Sequence, residues 1–341
     1  MSNYSAAPVY RIGIVGTGGI AKAHGRACKE LECAELSAIC DISEEALHRY
    51  AEAFGVKRLY RNLDQMLASE ELDIAIVANW GAFHAETGIQ IAKSRRVKAI
   101  ICEKPFTSNA AEAEQLVNAA NANGILVTEA FKFRHHPMHL KAKELIDAGE
   151  IGEVKTVRST FCTGGRGGGP ESRPPERNWR FNKAKGGGSI YDLGCYCIHH
   201  ARFVSDAEPV TVFATQQWGI EVDDAMYMLL TFPGERTAQI SVGFNSANAQ
   251  YAEICGTAGM LRLDRIWNNE DRPVSIEKHT VDGLESIEFE PVFQFTNQLR
   301  HLCDCLTTGQ PHRISPENCV RQMKVINAVR ESVETGNVVA I

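Results

Sequence analysis

A few short stretches carry residue types that could do chemistry. IICEKP (100–105) ends an apolar run in Glu103 and Lys104 and then fixes the chain with Pro105. A lysine closing a buried strand is seldom there for packing alone. GGGSIYDLGCYCIHH (186–200) sets Asp192 and Tyr196 four residues apart, on one face of a helix. Tyrosine ordinarily titrates at about 10 and lysine at about 10.4, so neither is a good base alone near neutrality. A tyrosine beside a lysine cation has its phenolate favoured and its pKa lowered, which suits proton exchange with a hydroxyl.

A second constellation points to a nucleotide. GTGGIA (16–21) fits G-x-G-x-x-A. Gly16 makes the tight turn, Gly18 admits a pyrophosphate close to the backbone, and Ala21 lets helix and strand touch. Thr17, Gly19 and Ile20 complete the turn, and the helix N-terminus faces the phosphates. Glycine-rich turns also occur for structural reasons, so the motif counts because it sits in the first strand–helix unit. Asp41 closes the next strand, 23 residues after Gly18, near the spacing of about 20 at which a carboxylate holds the ribose hydroxyls of NAD. The plain alternative is that Asp41 only starts the turn CDISEE. No arginine directly follows Asp41, so NAD is favoured over NADP.

The elements that must position these residues follow from periodicity. YRIGIVG, AELSAICD, LDIAIVAN, KAIICEKP and GILVTEAF read as strands, and the segments between them carry helical patterns. Ser43 and Ser108 or Asn109 serve as N-caps, and Gly124 as a stop. This alternation predicts an α/β fold, with a doubly wound parallel (Rossmann) sheet over 1–128. After the helix KAKELIDAG come EVKTVRSTF, VTVFATQQW, AMYMLLTF, TAQISVGF, AEICG and MLRLD, with turn signals such as FPGER. They predict an α+β domain over 129–341 with a large, mostly antiparallel open sheet. One helix over 190–204 interrupts it, and a last helix over about 316–335 has Ser315, Pro316 and Gly336 as its start and stop signals.

Composition narrows the function. Lys+Arg 36 against Asp+Glu 42 leaves a net charge of −6 with no basic block, so no nucleic-acid or anionic-membrane footprint appears. MSNYSAAPVYR has no basic segment followed by an apolar one, and no apolar run spans a membrane. A cytoplasmic protein acting on small molecules is expected. The eleven cysteines are odd in number and sit in apolar contexts, which suggests reduced thiols.

Taken together and in this order, GTGGIA, EKP, EAFKFRHHP (129–137), NWRF (178–181) and GGGSIYDLGCY resemble the Gfo/Idh/MocA family of glucose-fructose oxidoreductases and inositol dehydrogenases. They are most similar to its aldose dehydrogenase and dimeric dihydrodiol dehydrogenase branch, in which a tyrosine stands where inositol dehydrogenases carry histidine. The resemblance implies hydride transfer between NAD, or secondarily NADP, and a hydroxyl or carbonyl carbon of a sugar, glycoside or cyclic polyol. Tyr196 is then acid/base, Lys104 its activator and a substrate donor, and Asp192 an orienting group, with the reverse assignment of Tyr196 and Lys104 open. It also implies a cis peptide before Pro105, Glu103 and Lys104 at the cofactor, and His136 at the sugar. Asn79, Trp80 and His84 border the nicotinamide ribose, although Trp80 departs from the Thr-Pro-Asn common there. Association into a homodimer or homotetramer through the second sheet follows as well. Alternatives are a glycoside-processing enzyme that uses NAD transiently and an NAD(P)-sensing regulator.

Arg166, within the glycine-rich TGGRGGGPESRPPERN (163–178), and Trp179 and Arg180 just after it belong to a basic, aromatic-bearing stretch read either as a solvated loop or as a lid over the sugar. His200, four residues after Tyr196, is a secondary acid/base and substrate candidate. HHPMH and CYCIHH lack convincing metal-ligand spacing, so no metal is expected. His135 and His139 read as solvated or capping.

Overall fold

The computed structural model describes residues 8–164 and 172–341; Arg166 lies outside the described residues. Contacts divide the chain into two units, Met1–Lys132 with Gln294–Val320, and Phe133–Phe293 with Arg321–Ile341.

In the first unit, β1 (Tyr10–Val15), α1 (Gly19–Glu30), β2 (Ala34–Cys40), α2 (Glu44–Phe54), β3 (Leu59–Tyr60), α3 (Leu63–Ser69), β4 (Ile74–Val77), α4 (His84–Ser94), β5 (Ala99–Cys102), α5 (Ala110–Asn121) and β6 (Leu126–Glu129) alternate. The strands are parallel in the order β3-β2-β1-β4-β5-β6. Helices cover both faces of such a sheet, so central strands are apolar throughout; every residue of β4 and β5 is buried. The caps foreseen are in place, with the Ser43 hydroxyl accepting from Ala46 N and the Asn109 side chain from Glu112 N. The order reverses between β1 and β4, and ligands bind at the carboxyl ends of strands beside such a reversal.

In the second unit, α6 (Pro137–Asp147) and β7 (Val154–Cys162) precede a π-helical turn (Ile190–Gly194) that runs into α7 (Cys195–Ser205). Seven strands follow: β8 (Thr211–Trp218), β9 (Asp223–Phe232), β10 (Arg236–Gly243), β11 (Ala249–Gly256), β12 (Gly259–Asp264), β13 (Val274–Thr280) and β14 (Gly283–Phe289). The chain continues through α8 (Gln294–Thr308) and α9 (Pro316–Thr335) to β15 (Val339–Ala340). The sheet runs β14-β13-β12-β11-β7-β10-β9-β8-β15, antiparallel apart from the parallel β7–β10 pair. Alternation along β9 buries Met226, Met228, Leu230 and Phe232 and exposes Tyr227 and Leu229.

The sequence reading keeps 129–341 together, whereas the contacts return Gln294–Val320 to the first unit. The reason is α8, which lies on α1. Thr296 Oγ1 donates to Glu30 Oε2 at 2.6 Å, Tyr10 OH and Thr307 Oγ1 are 3.0 Å apart, and the His24 and Phe295 rings meet edge-on at 5.2 Å. Phe295, Leu299 and Leu302 are buried by it, at about 1.5–3 kcal/mol per fully buried side chain. All eleven cysteines are free thiols. Among the described residues no helix is long and apolar enough to cross a membrane.

Candidate functional site

The carboxyl edge of the first sheet gathers most of the nucleotide residues foreseen. Gly16 follows β1 with φ +92°, and a Cβ there would lie 2.4 Å from Asn79 N, so only glycine passes the end of β4. A Cβ at Gly18 or Gly19 meets nothing within 4 Å. Helix α1 begins there with Gly18 as an extended N-cap, no side-chain cap and no acid in its first turn. Its first N–H groups and the positive end of its dipole therefore face open space, an arrangement that suits a phosphate. Ala21 is fully buried and its carbonyl accepts from Tyr50 OH at 2.8 Å, while Ile20 stands 36% exposed on the first turn.

Asp41, at the end of β2, closes on this turn. Its Oδ2 accepts from Thr17 N at 2.7 Å and Thr17 Oγ1 at 3.0 Å, and its Oδ1 from Ser43 N at 2.9 Å. Both readings of Asp41 thus have a structural basis: it starts the α2 turn, and it stands beside the glycine turn where a ribose diol would compete for its oxygens. At the end of β4, Asn79 Nδ2 donates to Thr87 Oγ1 at 2.9 Å, and its Oδ1 is buried with no hydrogen-bond partner. An orphaned acceptor is costly, and a hydroxyl donor beside Gly16 would satisfy it. The residues present fit a dinucleotide. Trp80 and Phe83 follow, 42% and 43% exposed, with ring centroids 6.4 Å apart.

His84 and Glu103 serve this edge from beneath. The His84 ring lies between two carbonyls, with Nδ1 2.8 Å from Pro105 O and Nε2 3.2 Å from Asn79 O. Burial pushes its pKa below the ordinary histidine value, against the pull of those carbonyls. Neutral His84 donates to only one of them, and it clamps the loops after β4 and β5. Glu103 Oε1 is 2.7 Å from His24 Nε2 of α1. Lys104 is half-buried, and the Lys104–Pro105 peptide is cis.

In the second unit, Asp192 lies in the π-helical turn and Tyr196 in the first turn of α7; single π turns inside helices recur at functional sites. The turn starts on Asp223, whose Oδ2 accepts from Ser189 Oγ at 2.5 Å and Ile190 N at 2.8 Å. Burial raises the Asp223 carboxyl to about 6 despite those donors. Gly188, at φ +122°, admits this carboxylate, since a Cβ would fall 2.4 Å from Asp223 Oδ1. Arg180 Nε donates to Asp192 Oδ2 at 2.7 Å, and the Arg180 guanidinium lies 5.0 Å from the half-buried Trp179 ring. Arg173 bonds Asp224 at 3.0 Å. Sequence reasoning missed Asp223 and Asp224. The signal was an acidic pair abutting the apolar strand AMYMLLTF.

The Tyr196 ring is 7% exposed and packs among Phe133, Phe161 and Trp267, with centroids 5.5–6.0 Å away. The histidines below it differ from expectation. His135 and His139 are buried rather than solvated, and His139 is enclosed by the aromatic cluster of Phe133 and Trp267. His136, the residue expected at the sugar, is fully buried and caps α6, its Nδ1 accepting from Met138 N. His200 lies enclosed against His139, Phe133 and Trp267, and burial holds its pKa at about 3. A base needs its pKa near the working pH, so His200 is unsuited to proton transfer at neutrality. Among the described residues no group of three or more His, Cys, Asp or Glu is arranged to hold a metal ion.

Comparison with known proteins adds to this geometry. Residues 10–131 match the model described as an oxidoreductase family with an NAD-binding Rossmann fold, and residues 139–262 match the GFO/IDH/MocA C-terminal domain. The chain belongs to the Gfo/Idh/MocA family. This Gfo/Idh/MocA chain is 28% identical to D-xylose 1-dehydrogenase (NADP(+)) 2 of Haloferax volcanii, over 96% of its own length and 99% of the relative's. It is 27% identical to dTDP-3,4-didehydro-2,6-dideoxy-alpha-D-glucose 3-reductase of Actinomadura kijaniata, over 97% of each. Among solved structures, aldose-aldose oxidoreductase from Caulobacter crescentus, complexed with glycerol, superposes with a TM-score of 0.87 at 25% identity, covering 98% of this chain and 100% of that one.

Proposed function

We propose that the protein transfers hydride between a nicotinamide dinucleotide and a CH–OH or C=O carbon of a sugar or related polyol. The observation that carries the reading is the open, uncapped N-terminus of α1 above Gly18 and Gly19, with Asp41 and the orphaned Asn79 Oδ1 at the same edge. The relatives named above act on sugars, which supports that substrate class. When bound, the nicotinamide supplies the hydride acceptor or donor. The chain's own residues must then bind the dinucleotide, orient the hydroxyl and move its proton. Tyr196 is our choice for that proton, Lys104 for the cation that favours its phenolate, and Asp192, tethered by Arg180, for orientation.

Absorbance at 340 nm with NAD+ or NADP+ against free aldoses, inositols and glycosides is the test. Reduced cofactor forming on one of these classes is the expected result. Tight nucleotide binding with no turnover on any of them would replace dehydrogenation by transient redox or by sensing.

The chain also pairs with a second copy through the outer face of the second sheet. Phe213 of β8 sits directly opposite Leu229 of β9, and Thr215 opposite Tyr227; Phe213, Tyr227 and Leu229 are 39–42% exposed. Charge placed on an apolar interface core is strongly disfavoured, so Phe213→Glu with Leu229→Glu should convert a dimer to monomer in sedimentation. A wild-type monomer at micromolar concentration would sink this assignment.

A further inference from the structure

A carboxylate closing β2 selects the ribose diol of NAD, and a neighbouring arginine is what admits the extra phosphate of NADP. The chain carries no arginine directly after Asp41, but its fold places one there from another strand. β2 pairs in parallel with β3, so that Asp41 N donates to Tyr60 O at 3.1 Å. The next residue is Arg61, and its Nη2 donates to Ile42 O at 3.0 Å. The guanidinium therefore rests on the carbonyl of Ile42, the residue that follows Asp41.

Its competitors are few. Arg58, three residues earlier, is bound to Glu70, and Glu45 is bound to Arg49 at 3.0 Å. Among the described residues Arg61 forms an ion pair with Glu44 at 3.8 Å, longer than a hydrogen bond, and its side chain is 64% exposed. Beside it the Ile42 side chain, 77% exposed, offers an apolar flank of the kind an adenine face could cover. The carboxylates of Asp41 and Glu44 oppose a second phosphate here. Asp41, however, is turned inward by three donors, while a guanidinium fork is suited to grip a phosphate with two N–H groups.

We propose that Arg61 is the 2′-phosphate residue and that it lets the site take NADP as well as NAD. The inference rests on the nucleotide-binding reading above. The test is direct titration of the full chain with NAD+ and NADP+ by calorimetry, for wild type, Arg61→Ala and Arg61→Lys. Arg61→Ala should weaken NADP+ by about tenfold to a hundredfold, the range for a lost hydrogen bond to a charged group, and leave NAD+ within about twofold. Arg61→Lys should fall between, keeping the charge and losing the fork. Raising salt should weaken NADP+ more than NAD+ in wild type and erase that difference in Arg61→Ala. A side chain this exposed supports little of the fold, so melting temperatures should agree and make the affinities comparable. Equal weakening of both nucleotides, no change in either, or a wild type that binds NAD+ alone overturns the assignment of Arg61 and leaves the dinucleotide site standing. Binding of neither nucleotide overturns the dinucleotide reading itself.

Discussion

Tyr196→Phe should lower kcat by about a hundredfold to ten-thousandfold, the usual contribution of a positioned acid/base, while melting temperature and dinucleotide affinity stay near wild type. The change removes one oxygen and keeps the ring that packs against Phe133, Phe161 and Trp267, so the second unit retains its core. Nucleotide affinity depends on the edge formed by Gly16, Asp41 and Asn79 in the first unit, which the substitution does not touch. A parallel Lys104→Met variant should lose turnover to a similar degree and shift the ascending, acid-side limb of the pH–rate profile for hydroxyl oxidation to higher pH, because the phenolate loses its stabilising cation. Steady-state kinetics on the substrate found by the 340 nm assay reads both. Wild-type turnover in Tyr196→Phe would remove the tyrosine from the mechanism and leave Lys104 as the proton acceptor to examine.

Acid should unfold the second unit well before it reaches ordinary carboxylate pKa values. His139, His199 and His200 are enclosed, and burial holds the first two well below the usual histidine value and His200 at about 3. In the unfolded chain each would take up a proton near 6.5, and in the folded one it does not until far lower pH. The unfolded state therefore binds more protons below 6.5. The stability these residues leave intact above 6.5 is lost as pH falls beneath it, at about 1.4 kcal/mol per pH unit for each ring. At pH 5 His200 alone, with its folded value of about 3, accounts for about 2 kcal/mol, against a typical domain stability of about 5–15 kcal/mol, and His139 and His199 act in the same direction. Asp223 acts in the opposite sense. Its folded pKa of about 6 lies above its unfolded value, so the folded state gains about 1.4 kcal/mol between pH 6 and 5. The histidines outweigh it. Thermal unfolding followed through the fully buried Trp267 from pH 7.5 to 5 should show a fall, and His200→Phe should make that fall shallower. A melting temperature level across that range would mean the rings are solvated or paired in solution.

The first unit was legible because its information is local. Continuous apolar runs such as IAIV and AIIC can only be strands buried on both faces, and Ser43 and Asn109 sit at the helix starts where their side chains cap. β3, two residues long, and α3 after it left no periodicity to read. β13 and β14 escaped because VSIEKHT and GLESIEF put polar residues on most positions, and β14 is largely exposed. The glycine turn, Asp41 and the Asp192–Tyr196 spacing were visible as motifs. What gives them geometry was not: Asn79 against Gly16, Asp223 beneath Ser189, and Arg61 on Ile42 are contacts between segments far apart in sequence. His135 and His139 look hydrophilic in HHPMH, and nothing nearby announces that both are buried, His139 within the aromatic cluster of Phe133 and Trp267.

The docking of α8 on α1 has a consequence for synthesis. The segment that covers the flank of α1 is synthesised some 260 residues after it, roughly 13–50 seconds at about 5–20 residues per second. For that interval α1 lacks the contacts that Thr296 makes with Glu30 and Phe295 with His24. Strands β7 to β14 of the second sheet are thus synthesised before the first unit can close, and only β15 follows.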